Sequence, residues 1–289
     1  MILNVIISGL VSGSIYALLA IGFSLIFGVA RIVNIAHTAF YMVAAYGIYF
    51  GTHQLGFHSL WCILASVVIV TGFGLIIYKF FIDPIREHEA AVLISTIALA
   101  MAMQEVMLLI FTGSYLSVPA LIGGFFTVFR VKVFYQQLLT FGLVLFILAA
   151  LWILLMKTKL GLAIRATAQD REVANLMGIN ESRAAMLTMG ITVGLAGLAG
   201  AVVVPLTILD PFMWMHPLIM MMAVVVLGGL GSLKGSFVGA YMLGFAEALV
   251  VFLIPKGAFL KGSVALSVMI LVLLIRPEGL FGVAFEEER

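Results

Sequence analysis

The sequence predicts an all-α, polytopic membrane protein. Three observations lead there. Of 289 residues, 64% are hydrophobic and only 10% are charged, whereas a water-soluble domain carries charge on about a quarter of its residues. The mean hydropathy is +1.26. Charge is also gathered rather than scattered, since residues 157–183 form the only long charge-dense segment of the chain. The whole sequence, 1–289, reads as a single transmembrane domain interrupted by that loop.

The spans follow in order. Uncharged stretches long enough to cross roughly 30 Å of hydrocarbon run over 5–30, 60–78, 133–156 and 184–209. The first carries no Lys or Arg ahead of it, so it lacks the basic flank of a cleaved leader and reads as a retained span. Residues 90–111 and 235–254 qualify as well, each with one acid, Glu105 and Glu247. Shorter apolar pieces at 36–52, 217–231 and 262–275 are expected to span as tilted, broken or partly re-entrant helices. The total is nine crossings if every short piece spans and about eight if one is re-entrant.

Orientation comes from the basic residues, which short cytoplasmic loops retain. Lys157, Lys159, Arg165, Arg171 and Arg183 place the polar loop inside. Arg31, residues 79–89, Lys234 and residues 276–289 then also fall inside. The N-terminus, Arg130, Lys132, Lys256 and Lys261 fall outside. Within the loop, 163–177 contains no helix breaker, which predicts one surface helix closed by Gly178.

Small residues recur three to nine apart, as Gly9, Gly13, Gly22 and Gly28 in the first span and Gly190, Gly194, Gly197 and Gly200 in a later one. Small residues three or four apart let helices approach closely in lipid, where apolar burial alone gives no association. Each of these glycine-rich spans precedes a short, interrupted one with a histidine, His37 or His216. That pairing suggests a duplicated architecture with breaks near a pathway.

Most catalytic chemistry is excluded. Gly229-Leu230-Gly231-Ser232-Leu233-Lys234-Gly235-Ser236 does not complete a Walker or dinucleotide-binding pattern. The five histidines have no zinc-ligand spacing, and the single Cys62 rules out an internal disulfide. No cofactor is expected in this chain, and no nucleic-acid partner. Asn180-Glu181-Ser182 matches a glycosylation sequon but lies in the loop placed inside.

Polar groups within spans are the candidates for a translocation path, because an ionisable group at a helix centre costs about 2.5–3.5 kcal/mol on insertion scales. They are Gln104, Glu105 and Glu247, together with Asn34 and His37 at the break after the first span. No Lys or Arg is expected at matching depth to pair with the acids. They therefore read either as facing water or as hydrogen-bonded structural glue. Asn34 and His37 read equally as a gate or as a cap on the short helix.

Four motifs now carry a family resemblance. They are Arg31-Ile32-Val33-Asn34-Ile35-Ala36-His37 leading to Ala45-Tyr46-Gly47; Gly161 through Asn175-Leu176-Met177-Gly178-Ile179-Asn180; Val226-Leu227-Gly228-Gly229-Leu230-Gly231-Ser232 with Gly235; and Arg276-Pro277-Glu278-Gly279-Leu280-Phe281-Gly282. In this order they resemble the permease subunits of high-affinity branched-chain amino acid ABC importers, over nearly the whole chain. One departure is Thr38-Ala39 after His37, where relatives often have Gly-Glu.

The resemblance implies an ABC importer permease fold in the cytoplasmic membrane of a prokaryote. It also implies a second homologous permease subunit, two cytoplasmic ABC ATPases and an extracytoplasmic solute-binding protein. ATP would be hydrolysed by those partners and not by this chain. The predicted loop helix becomes the ATPase-coupling element, with Ala166, Ala168, Val173, Ala174, Leu176 and Met177 as contact surface. Arg165, Asp170, Arg171 and Glu172 are its orienting charges, and Gly178 closes it. The expected cargo is a branched-chain or other hydrophobic, neutral amino acid. Urea or short amides are the alternative within the class, sugars come third, and an ion-coupled secondary transporter using Glu105 or Glu247 is the rival from another class.

Overall fold

The computed structural model describes residues 2–128 and 131–282. Arg130 and Arg289, both used above for orientation, lie outside the described residues. The chain is built of helices, as hydrocarbon demands of any segment whose backbone polar groups must be satisfied internally. At the centre stands α1 (Ile2–Ala30), buried on nearly all sides. A helix apolar all round belongs in a core or a membrane, and this one is in both.

Around it come α2 (His37–Tyr49), α3 (Ser59–Ile77), α4 (Glu89–Phe111), α5 (Tyr135–Lys157), the polar-loop helices α6 (Lys159–Gln169) and α7 (Arg171–Leu176), then α8 (Glu181–Val203), α9 (Met215–Gly228), α10 (Leu233–Leu253) and α11 (Lys261–Ile275). A π-turn, Phe50–Gln54, prolongs α2; a second, Tyr78–Ile82, with the 3-10 turn Asp83–Ile85, prolongs α3. Seven helices among the described residues are long and apolar enough to cross a membrane, and α2 and α9 are shorter. This agrees with the eight or nine crossings expected.

Of the three short pieces, two are half-helices and one is not. Residues 262–275 belong to a full-length span, because the 3-10 turn Gly257–Leu260 lengthens it at its start. By contrast, α2 and α9 begin inside the bundle. After α1 ends, Arg31 takes a left-handed backbone at φ 51°, and residues 31–34, without regular structure, turn the chain back beside α1. The His37 ring at the start of α2 then packs against Gly22, where an added Cβ would meet Cε1 at 3.0 Å. Gly22 lies nine residues before Arg31, about 13 Å into the bundle at 1.5 Å per residue. At the start of α9, His216 faces Tyr16 of α1, ring centroids 6.4 Å apart.

These half-helices belong to two inverted halves. The ends of α1 and α6 meet, for Arg31, Ala168 and Gln169 line one cavity of about 1000 Å³. Thus α1 runs toward the end of the bundle carrying the polar loop, and α8 starts from it. The packing partners interchange: α2 and α3 pack on α8 while α9 and α10 pack on α1, with α4 against α2 and α11 against α9. Close approach is built from the expected small residues. Gly13 and Gly244 meet so tightly that a Cβ on Gly244 would lie 2.5 Å from the Gly13 nitrogen. Two hydroxyl pairs tie the same seam, Ser24 to Ser236 and Ser14 to Tyr241 at 2.5 and 2.9 Å.

Two further features were not predicted. An antiparallel hairpin, β1 (Phe125–Val128) and β2 (Val131–Phe134), precedes α5, so the span expected from residue 133 begins at Tyr135. Beyond α11 the tail folds back on α9, where the N–H groups of Leu280 and Phe281 donate to the carbonyls of Leu227 and Gly228 at 2.8 and 3.1 Å. Those carbonyls lie in the last turn of α9, where a helix leaves them without partners of its own.

Candidate functional site

The polar loop is two helices and not the single helix predicted. Thr158 caps α6, its Oγ1 accepting from the Gly161 nitrogen at 3.0 Å. Gly161, Ile164 and Thr167 form the inward face of α6. At Gly161 the helix touches α5 so closely that a Cβ would stand 2.3 Å from the Leu154 and Leu155 carbonyl oxygens. The break falls at Asp170, extended at φ −151° and ψ 116°, whose Oδ1 accepts from the Val173 nitrogen at 3.0 Å and so caps α7. Gly178, at φ 84°, closes α7 as predicted, and the Ile179 nitrogen donates back to the Ala174 carbonyl at 3.0 Å.

This unit is fastened to the bundle by charge. Arg171 meets Glu181 at the start of α8 at 3.4 Å, Glu181 also meets Arg86 at 3.8 Å, and Arg86 meets Asp83 at 3.5 Å. Asp83 and Arg86 stand in the turn between α3 and α4. Glu181, Arg86 and Asp83 were missed from sequence, since the partners come from three separate segments. Burial lowers the pKa of the Arg171 guanidinium, an effect the Glu181 carboxylate opposes.

Placement separates the expected contact residues. Ala168, Glu172, Val173, Leu176, Met177 and Gly178 are exposed, with Leu176 86% and Met177 80% open. Arg165 and Ala166 are half-buried. Ala174 is only 3% exposed and packs the loop from within, so it offers no outward contact. Arg171 is likewise engaged inward, by Glu181.

The intramembrane candidates do not converge on one site. Glu247 is buried on α10, accepts from the Tyr16 hydroxyl at 2.5 Å, and is ion-paired at 2.9 Å with Lys261 of α11. The expectation that no cation would reach this acid is therefore corrected: the turn before α11 places Lys261 against it. Gln104 is buried on α4, its Oε1 accepting from the Trp214 Nε1 at 2.9 Å and its Nε2 donating to Glu105 at 3.3 Å. Glu105 itself is exposed on α4. Trp214 and His216 flank the first residue of α9, so Gln104 and Tyr16 clasp the entrance of that half-helix from two sides.

The other entrance is held less fully. Ile35 donates its N–H to Thr96 of α4 at 3.3 Å, and Asn34 Nδ2 to the Met189 sulfur at 3.8 Å. Asn34 does not cap α2: Ala36 is the N-cap residue and no side chain caps that helix. Asn34 Oδ1 and Thr38 Oγ1 are buried without partners among the described residues, and the buried His37 ring lies beside the Leu19 carbonyl. Among the described residues no cluster of His, Cys, Asp and Glu could hold a metal ion.

A bundle of inverted halves, with two interrupted helices and a clamped polar loop at one end, defines a polytopic transport permease. Solved structures share the architecture. PsaBC from Streptococcus pneumoniae matches with a TM-score of 0.52 at 14% identity over 94% of this chain and 91% of that one. A structure described as "an inward-facing conformation of a putative metal-chelate type ABC transporter" matches with a TM-score of 0.52 at 16% identity over 93% and 85%. The family model described as branched-chain amino acid transport system / permease component matches residues 5–275, and the chain belongs to that family. Similar proteins include BraD of Pseudomonas aeruginosa, a high-affinity branched-chain amino acid transport system permease protein, 30% identical over 97% of this chain and 95% of that protein. LivH of Escherichia coli is 30% identical over 95% and 94%, and a LivH of Methanocaldococcus jannaschii is 26% identical over 96% and 92%.

Proposed function

We propose that this chain carries branched-chain or other hydrophobic, neutral amino acids across the cytoplasmic membrane of a prokaryote. It does so as one of two permease subunits of an ATP-binding-cassette importer, receiving cargo from an extracytoplasmic binding protein. Two cytoplasmic ATPases supply the energy. The observation that carries this reading is the α6–α7 unit, a helix pair pinned to α5, α8 and the α3–α4 turn that holds Leu176 and Met177 out from the bundle. Movement applied to such a unit passes to the spans, because packed elements shift as bodies and do not yield continuously. An importer with no nucleotide motif of its own needs such a part.

The ion-coupled reading loses its main support at Glu247, which is neutralised by Lys261. The test uses liposomes containing this chain, its second permease and the ATPases, with binding protein added from the outer side. Labelled leucine uptake should need ATP and binding protein, survive collapse of ion gradients, and exceed urea uptake. Replacing Asp170 and Arg171 by bulky apolar residues should leave ATP hydrolysis running while uptake falls. Uptake that follows an ion gradient without ATP would overturn the proposal.

A further inference from the structure

We propose that the groove between α1, α5 and α10 binds an acyl chain of an anionic phospholipid from the cytoplasmic leaflet, with Lys234 receiving its phosphate. The groove encloses about 520 Å³ and is walled by Ile21, Leu148, Leu151, Phe237, Val238 and Phe281 of the tail, with Lys234 the one charged residue among the described residues that line it. Of α1 it reaches only Ile21, at its floor.

Its depth fits one leaflet. From Ile21 to Arg31 on α1, and from Leu148 to Lys157 on α5, the groove reaches about 14–15 Å from the polar-loop end at 1.5 Å per residue, half of a hydrocarbon core of roughly 30 Å. An apolar slot of that depth takes a fatty chain end-on and leaves no polar atom of the chain behind it.

Its charge fits a phosphate. Lys234 sits in the first turn of α10, the end of a helix whose dipole disfavours a cation. It has no carboxylate within ion-pair distance among the described residues. Lys157 and Lys159 stand two and four residues past Leu155, at the same end of α5. Lys234 thus gives the groove a cation beside an apolar wall, the complement of an anionic headgroup on an acyl chain.

The test is native mass spectrometry of the detergent-solubilised permease assembly with added phosphatidylglycerol or phosphatidylethanolamine of matched chains. One phosphatidylglycerol should be retained several-fold over phosphatidylethanolamine. Lys234→Gln should bring the two to parity, and Val238→Trp, which fills the slot, should remove both adducts while leaving thermal unfolding in detergent unchanged. Lys234 is exposed, so its variant decides the matter even if Val238→Trp fails to fold. A photo-crosslinker in place of Trp152, also in the groove wall, should capture lipid. Equal retention of the two lipids by the wild-type assembly, or a crosslink to protein in place of lipid, would overturn the proposal.

Discussion

Glu247 illustrates how a buried acid is tolerated in a span. The carboxylate takes a proton-donating bond from Tyr16 and an ion pair from Lys261, so both oxygens are satisfied where an unpaired charge would be costly. Replacing Lys261 by Met strands the acid and should destabilise the protein by about 1–3 kcal/mol, below the ~3–5 kcal/mol of a fully enclosed pair, because the lysine side chain is 39% exposed. Glu247→Gln combined with Lys261→Met should recover most of that loss, and thermal unfolding of the single and double variants measures the coupling. Trp214→Phe, which deletes the bond to Gln104, should cost about 1 kcal/mol by the same measurement. The acids and Gln104 were visible in the sequence as polar intrusions in apolar runs. Their partners were not, for Lys261 and Trp214 reach them only through tertiary packing.

At the level of elements, the division of the polar loop decides which side chains it presents outward. A continuous helix over 163–177 satisfied every breaker rule, since no Gly or Pro interrupts it. The competing signal was Asp170 followed by Arg171 and Glu172, an N-cap residue with an acid in the first turn, which starts a helix wherever it can. The second helix so formed turns Ala174 inward and Leu176 and Met177 outward. Changing Leu176 and Met177 to Asp should cut leucine uptake about tenfold, the size of a 1.4 kcal/mol loss in docking, and should reduce recovery of the ATPases with the permease. Gly161→Leu should separate the two functions, with ATPases still recovered but uptake lost, because the side chain drives α6 off the Leu154 and Leu155 carbonyls. The hairpin Phe125–Val128 and Val131–Phe134 escaped notice for a different reason. Its strands are four residues each and adjoin an apolar span, so period-two alternation had no length in which to show.

For the molecule as a whole, length and hydropathy were enough to find six of the seven full-length spans, the seventh being hidden because a 3-10 turn completes it, and a histidine at each break marked the half-helices. The inverted relation of the halves was less legible. It resides in which helix packs on which, and no residue-level repeat in the chain records it. The orientation is testable directly. A cysteine at exposed Gln169 should react with an impermeant maleimide only after the cytoplasmic side is opened, whereas one at Phe259, 88% exposed at the other end, should react in intact cells. The native Cys62 is buried and contributes little background.

The interchange of packing partners between the halves has a consequence for the transport cycle. If α2 and α3 hold α8 as α9 and α10 hold α1, then rocking one half and its mirror motion in the other pass through similar contacts. Two shapes, one open to each side of the bilayer, are then close in energy without further design. Alternating access then needs only a small push to choose between them, and in the importer proposed above the binding protein on one face and nucleotide on the other would be placed to give it.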